Sequence, residues 1–182
     1  ALARWGRVDY VGQSFGVLKL TVPSGEVYDF SLPRRDSKVA AGHRGFTVAV
    51  EPGIDPKEAS ARRDFTFNAL MYDYRRRELL DFHGGGEDLE QRILRHVSAA
   101  FGEDPLRVLR GMNFAGRFDL KAAPETVALC ESIHESFKEL AFERVREEWF
   151  KWATRSRVPS AGLRFLADTG WISHFPEIQN LI

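Results

Sequence analysis

Apolar and polar positions first follow a short period along this chain and later a helical one. "VDYVGQSFGVLKLTV" (8–22) is rich in Val, Phe and Leu and is punctuated by Gly12 and Gly16. "PSG" (23–25) is a turn signal. "EVYDFSLP" (26–33) then alternates, which places Val27, Asp29 and Ser31 on one face and Tyr28, Phe30 and Leu32 on the other. The pattern predicts a hairpin whose second strand ends at Pro33. The polar stretch "RRDSKVAAGHRG" (34–45) predicts a mobile loop. In "GIDPKEASARRDFTFNALMYD", Pro56 and the helix formers after it predict one short helix to about Arg62 and a second from about Asp64 to Tyr72. "RELLDF" (77–82) predicts a short strand, and "HGGGEDLEQRILRHV" a Gly-rich turn, a short helix and a strand.

Beyond about residue 98 the strand signal fades. Asp104 followed by Pro105 supplies an N-cap and an N1 proline, and Val108, Met112 and Ala115 follow at helical spacing. "APETVALCESIHESF", "ERVREEWFKWA" and "SAGLRFLADTGW" predict three further amphipathic helices. The expectation is an α+β part over residues 1–98 and an all-helical part over 99–182.

Length and composition narrow the function classes. The 182 residues suit one large or two small domains, and a 43% hydrophobic share with 14 Phe and 4 Trp can form a core. Basic and acidic residues balance at 26 each, so any RNA contact is expected to be a local patch or to lie outside this chain. Cys130 is the only cysteine, which excludes an intramolecular disulfide and suits a reducing, cytoplasmic setting. No apolar run approaches the ~20 residues of a membrane-spanning helix, so no membrane partner is expected. The start, "ALARWGRVDY", has neither signal-peptide layout nor Met, and reads as a cut or processed end.

Two stretches carry candidate chemistry. On a helix beginning at Asp64, Asp64 and Asn68 share a face, and with Arg63 they supply an acceptor, an amide and a fixed cation at an anion-favouring helix start. Such a trio can hold a ribose hydroxyl and a phosphate. The plain alternative is an N-cap Asp64 beside solvated Arg62 and Arg63. In "EDPLRVLRGMNFAGRF" (103–118), Asp104 and Arg107 set acceptors beside a fork of donors, which matches the Watson–Crick edge of a base. Arg110 is one turn on, and Gly111 admits a backbone or a ligand close to the helix. The plain alternative there is an N-cap and an i,i+3 ion pair worth roughly 0.2–0.5 kcal/mol. His43, His83, His96, His134 and His174 show no metal-ligand spacing, and Cys130, Trp149 and Trp152 read as core.

"RRDFTFNALMYD" closely resembles the Arg-Arg-Asp-Phe-Thr-x-Asn-Ala motif of class II tRNA nucleotidyltransferases and bacterial poly(A) polymerases. "EDPLRVLRGMNF" resembles that family's Glu-Asp-x-x-Arg motif. "DFHGGGEDL" is similar to its Asp-x-x-Gly-Gly-x-x-Asp-Leu turn, with Phe82 where Pro is usual and His83 where an aromatic is usual. "ERVREEWFK" (143–151) looks like its neck motif, with Arg144 and Glu148 one helical turn apart. The four motifs run in the family's order.

The resemblance implies a partial nucleotidyltransferase head, of mixed or antiparallel sheet with helices, followed by a helical neck. It implies template-independent addition of CMP and AMP from CTP and ATP to the 3′ end of tRNA or another RNA, with the protein reading the incoming base. Asp104 and Arg107 would bond the base edge, with Arg110 as helper. Arg63, Asp64 and Asn68 would contact ribose and phosphates, and Gly84, Gly85 and Asp88 would form a hinge. Chemistry of this kind uses Mg²⁺ held by carboxylates. The family's Gly-Gly-x-x-Arg-Asp and Asp-x-Asp elements do not occur here, and Asp9 in "VDYVG" does not replace that pair. Asp29 is the candidate third carboxylate and metal ligand, and Arg34 matches an arginine that approaches the triphosphate. Read this way, the chain alone binds nucleotide weakly and does not catalyse. A second chain or a missing segment would supply the metal half. Poly(A) or CC-only addition, and a non-catalytic RNA- or partner-binding remnant, are the alternatives.

Overall fold

In the computed structural model the described residues are 2–11, 17–31, 34–38, 46–50 and 53–180. The chain divides into two compact units between Ala59 and Ser60.

The first unit is built on hairpins. The apolar run before the first turn is two strands rather than one: β1 (Arg7–Val11) and β2 (Val17–Thr21) pair antiparallel, and β3 (Val27–Ser31) pairs with β2. Gly25, at φ 89°, closes the β2–β3 turn, where its N–H donates to the Val22 carbonyl at 2.9 Å. The expected Pro33 strand end and the Leu32 face lie outside the described residues. The alternation in β3 does not produce a buried face, because every residue of that strand is exposed. Asp9, Lys19 and Asp29 stand directly opposite one another across the three strands and so share one sheet face.

The expected loop at 34–45 begins as a strand. β4 (Arg34–Lys38) pairs antiparallel with β5 (Phe46–Val50), and residues 39–45, including His43, lie outside the described residues. Backbone pairing overrides the polar composition of "RRDSK". A short helix, α1 (Pro56–Ser60), follows, with Asp55 capping the Lys57 N–H at 2.8 Å.

The second unit opens on the "RRDFTFNA" stretch, and here the predicted helix from Asp64 to Tyr72 does not form. Phe65 is extended, at φ −124° and ψ 150°, and bridges to His96. Only Thr66–Ala69 coil, as one 3₁₀ turn. Met71–Asp73 then forms β6, antiparallel to β7 (Glu78–Leu80). Two backbone bonds sew the stretch down: Thr66 N–H to the Arg95 carbonyl (3.0 Å) and Val97 N–H to that of Asp64 (3.2 Å). They fix Phe65 in an isolated β-bridge, and a buried apolar run reads alike in either conformation.

The Gly-rich turn, α2 (Gly85–Glu90) and β8 (Ile93–Leu94) follow as the sequence predicts. Helix α3 (Leu106–Phe118) then crosses over to β9 (Lys121–Ala122), which returns parallel to β8. The part after residue 98 is therefore not purely helical. α4 (Pro124–Ser132), α5 (Phe142–Arg155), α6 (Pro159–Asp168) and α7 (Pro176–Gln179) complete it. α3 packs against α5 and α6. A Cβ at Gly111 would sit 2.6 Å from the Phe165 ring, so this glycine admits α6 rather than a ligand.

The texture change at 98 does not coincide with a break in packing. Phe65 and Leu94, from before it, share one buried core with Phe101, Leu109, Met112 and Trp171 from after it. At roughly 25 cal/mol per Å² of apolar surface, an aromatic core of this kind supplies most of the driving force that holds the site in place.

Candidate nucleotide site

The core places the charged residues of two distant motifs side by side. Asp64 is 5% exposed, and its carboxylate is fully engaged. Oδ1 accepts from the Phe65 N–H and from Asn68 Nδ2, both at 2.9 Å. Oδ2 accepts from Arg110 Nε and Nη2, both at 2.6 Å. The Arg110 guanidinium also lies 5.4 Å from the Phe114 ring centroid. Asp64 and Asn68 do meet, but through an isolated β-bridge and a 3₁₀ turn. The expected N-cap role falls away, because the residue before that turn is Phe65 and no side chain caps it.

Arg107 is the centre of the arrangement. Its Nη1 donates to the Ala100 carbonyl and its Nη2 to the Arg62 carbonyl, each at 2.7 Å. Burial, with the neighbouring Arg110 charge, holds its pKa below the ordinary arginine value, against the opposing pull of Asp64, Asp104 and Glu103. An arginine stays cationic in proteins, so this is a fixed positive charge in a dry, largely acidic surround. The i,i+3 partner expected for it, Asp104, is paired elsewhere: Arg144 of α5 donates Nη2 to Asp104 Oδ2 at 3.1 Å. Asp104 Oδ1 caps the first turn of α3 through the Leu106 N–H at 3.2 Å. Both fork and acceptor are thus held by groups outside their own motif.

Arg63 is exposed, and its side chain forms no hydrogen bond or ion pair with the described residues. It is not drawn into the Asp64 network, although it sits one residue away. Glu148, one turn along α5 from Arg144, does not pair with it. Glu148 is 3% exposed, accepts from Asn113 Nδ2 at 2.6 Å and pairs with Lys151 at 2.7 Å, and so fastens α5 to α3.

The Gly-rich turn is closely packed. Gly84 adopts φ 73°, and a Cβ on Gly85 would lie 2.3 Å from the Thr66 carbonyl oxygen. Asp88 is buried, accepts from Thr66 Oγ1 at 2.7 Å and pairs with Arg95 at 3.0 Å; Arg95 also contacts Glu125 of α4. Sequence reasoning passed over Asp81, which accepts from the Gly85 and Gly86 N–H groups at 2.9 Å. Burial pushes its carboxyl up, but the N–H groups of Gly86, Gly85, His83 and Gly84 outweigh that and hold it below the usual carboxylate range. The signal was an Asp four residues ahead of a Gly-Gly pair. Arg62 was also missed, because its contribution is a carbonyl, which no side-chain motif announces.

Asp29 is exposed on β3, opposite Lys19, which itself stands opposite Asp9. A lysine between two carboxylates is a poor start for a cation site. Among the described residues no three His, Cys, Asp or Glu side chains converge as metal ligands, so these residues do not by themselves fit a divalent ion. Arg34 falls in β4, and its side chain lies outside the described residues. Among the described residues no helix is long and apolar enough to cross a membrane.

Residues 9–95 match the Poly A polymerase head domain. The Multifunctional CCA protein of Stenotrophomonas maltophilia (strain K279a) is 44% identical over 177 residues, which cover 94% of this chain and 43% of that protein. That of Xanthomonas campestris pv. campestris (strain B100) is 42% identical over 94% of this chain and 42% of its own length. The chain thus spans less than half the length of these relatives. Among solved structures, Bacillus stearothermophilus CCA-adding enzyme in complex with CTP aligns with a TM-score of 0.74 and 25% identity, over 92% of this chain and 40% of that one. Thermotoga maritima CCA-adding enzyme complexed with tRNA aligns with a TM-score of 0.70 and 26% identity, over 94% and 38%. With the motifs in order, the α+β fold in agreement and these relatives in both sequence and structure, the chain belongs to the tRNA nucleotidyltransferase and poly(A) polymerase family.

Proposed function

We propose that this chain is the nucleotide-selecting part of an enzyme that adds CMP and AMP, from CTP and ATP, to the 3′ end of tRNA in the cytoplasm. The observation that carries the reading is the grip on Arg107 and Asp104. Two backbone carbonyls orient the guanidinium, and Arg144 orients the carboxylate. Cytosine and adenine both present an exocyclic amine beside a ring-nitrogen acceptor, whereas uracil and guanine present a carbonyl where the amine would be. A fixed acceptor beside a fixed donor therefore suits C and A, whereas U and G set a carbonyl against the carboxylate and a ring N–H against the guanidinium. Arg63 and Asn68 are the proposed ribose and phosphate contacts. Arg110 acts as a positioning residue through Asp64. Gly84, Gly85 and Asp88 are the proposed hinge beneath them, and Arg144 and Glu148 tie the neck helix α5 to Asp104 and to Asn113 of α3.

A head over residues 1–98 and a neck over 99–182 remain the proposed functional division, supported by the motif order although the packing core runs across it. Enzymes of this family use divalent metal, and Mg²⁺ is the proposed ion. Asp29 is at most one of its ligands, with the others supplied from outside the described residues.

Calorimetry with CTP, ATP, UTP and GTP tests the selection. Heat is expected with CTP and ATP alone and is lost in Arg107→Ala. Equal heats from all four nucleotides, or an unaffected Arg107→Ala, would overturn the reading. Supplying CTP and ATP separately to the full-length enzyme with defined tRNA ends separates CCA addition from poly(A) or CC-only addition.

A further inference from the structure

At the far end of α3 from Asp104 lies a groove of about 580 Å³, inside the second unit. Its volume is in the range of small-ligand pockets. Phe67 and Phe118 meet edge-to-face in its lining, with ring centroids 6.2 Å apart, and Leu120 continues the apolar surface. Phe118 is 41% exposed, with Phe114 stacked beside it at 6.3 Å between ring centroids. Three arginines stand on the rim. Arg117 holds its guanidinium 5.0 Å from the Phe118 ring centroid. Arg92 makes only a long, exposed 3.5 Å pair with Asp119. Arg157 is anchored by its backbone to the Gly116 carbonyl at 3.0 Å, while its exposed side chain meets no partner among the described residues. Two rim acids, Glu90 and Asp119, leave a cationic excess.

The groove is joined to the candidate site by rings. Phe67 and Phe118 both meet Phe114, over which Arg110 sits. Arg107 and Arg117 are ten positions apart on one helix, about 15 Å along its axis. Aromatic faces beside an arginine rim are the combination by which proteins hold unpaired nucleotides, the rings stacking on the base and the cations meeting the phosphate.

We propose that this groove binds one unpaired nucleotide of the RNA being extended, with its base on Phe118 and Phe67 and its phosphate between Arg117 and Arg157. The proposal rests on the RNA-extending reading above. It adds a second contact, on the same helix as the base-reading pair, that grips the strand rather than the incoming nucleotide.

Fluorescence anisotropy of a labelled, unpaired oligoribonucleotide with this chain, at several salt concentrations, tests it alongside calorimetry with CTP. Arg117→Glu with Arg157→Glu is expected to weaken RNA binding at least tenfold and to flatten the salt dependence by about 1–2 in log–log slope. CTP affinity should stay within about twofold, since neither residue belongs to the nucleotide site. Phe118→Ala is expected to cost about tenfold in RNA affinity with the salt slope kept. Arg157→Gln, a mild change at an exposed position, should give a smaller loss in the same direction, and it reads the groove if the double reversal fails to fold. Unchanged RNA affinity in these variants, no RNA binding by the parent chain, or CTP affinity falling in step with RNA would each overturn the proposal. Arg107→Ala separates the two readings. If it leaves CTP binding intact while the groove variants still lose RNA, the nucleotide-site reading fails and the groove stands.

Discussion

Replacing Arg110 by Ala isolates the contact that joins the two motifs. Asp64 is almost fully buried, while Arg110 is about a third exposed, so the pair lies between two regimes. A fully exposed ion pair contributes about 0–1 kcal/mol, whereas stripping the partner from a fully buried charge costs about 3–5 kcal/mol. After Arg110→Ala the Asp64 carboxylate keeps the Phe65 N–H and the Asn68 amide, which offsets part of its lost solvation. The expected loss is about 2 kcal/mol, or about 6–8 °C in Tm for a unit of this size. Urea unfolding followed by the fluorescence of Trp171, fully buried in the same core, reads it. Because Arg110 also stacks on Phe114, a double-mutant cycle with Asp64→Asn is needed to separate the charge pair from the ring contact. A coupling energy of about 1 kcal/mol or more is expected. A coupling below about 0.3 kcal/mol would refute the claim that this pair locks the two motifs together, and would reduce it to an ordinary surface pair.

Four further outcomes follow from the same structure. Gly85→Ala drives a Cβ into the Thr66 backbone and should cost about 3 kcal/mol in the urea midpoint, while Gly86→Ala, which meets only the Asp81 side chain at 3.3 Å, should cost far less. Arg144→Ala releases Asp104 and should weaken CTP and ATP together by about tenfold, with partial recovery in Arg144→Lys; loss of one nucleotide alone would contradict a shared acceptor. Burial pushes the Cys130 thiol up to about 12, so thiol reagents at neutral pH should modify it only at the unfolding rate, and the stability it confers should fade as pH climbs above the ordinary thiol range toward that value. Asp81 is held below the usual carboxylate range, so its stabilisation is complete above that range and is lost as pH falls through the depressed value; Asp81→Asn should flatten the acid limb of a stability–pH profile.

Much of the site could be read in the sequence because its side chains fall in short motifs, but the reasons they meet could not. Asp64 and Asn68 were expected together on a helix and do meet, yet the pairing of Phe65 with His96, thirty-one positions on, decides the local backbone. The apolar run from Phe65 to Met71 offers no period that separates helix from strand, and only the pairing of Met71–Asp73 with Glu78–Leu80 resolves it. Asp104 was expected to pair with Arg107 at i,i+3. Its partner is instead Arg144, forty positions on, and Arg107 turns to two carbonyls. Spacing along one element reports which groups are neighbours; it does not report which neighbour wins once a third group arrives. "RRDSK" shows the same limit in the backbone, as a strand made by its partner rather than by its composition.

The parallel pairing of Ile93–Leu94 with Lys121–Ala122 closes a loop around α3. The helix that carries Arg107 and Arg110, with Asp104 just before its first turn, is therefore tethered at both ends to the same two-stranded ladder, and along its length to α5 through Asn113 and Glu148. A helix pinned in this way cannot roll about its axis without breaking several bonds at once. It behaves as a gauge of fixed setting. Under the proposed function, a switch from a pyrimidine to a larger purine is then met by side-chain rotation at Asp104 and Arg107 or by displacement of the nucleotide, not by turning the helix.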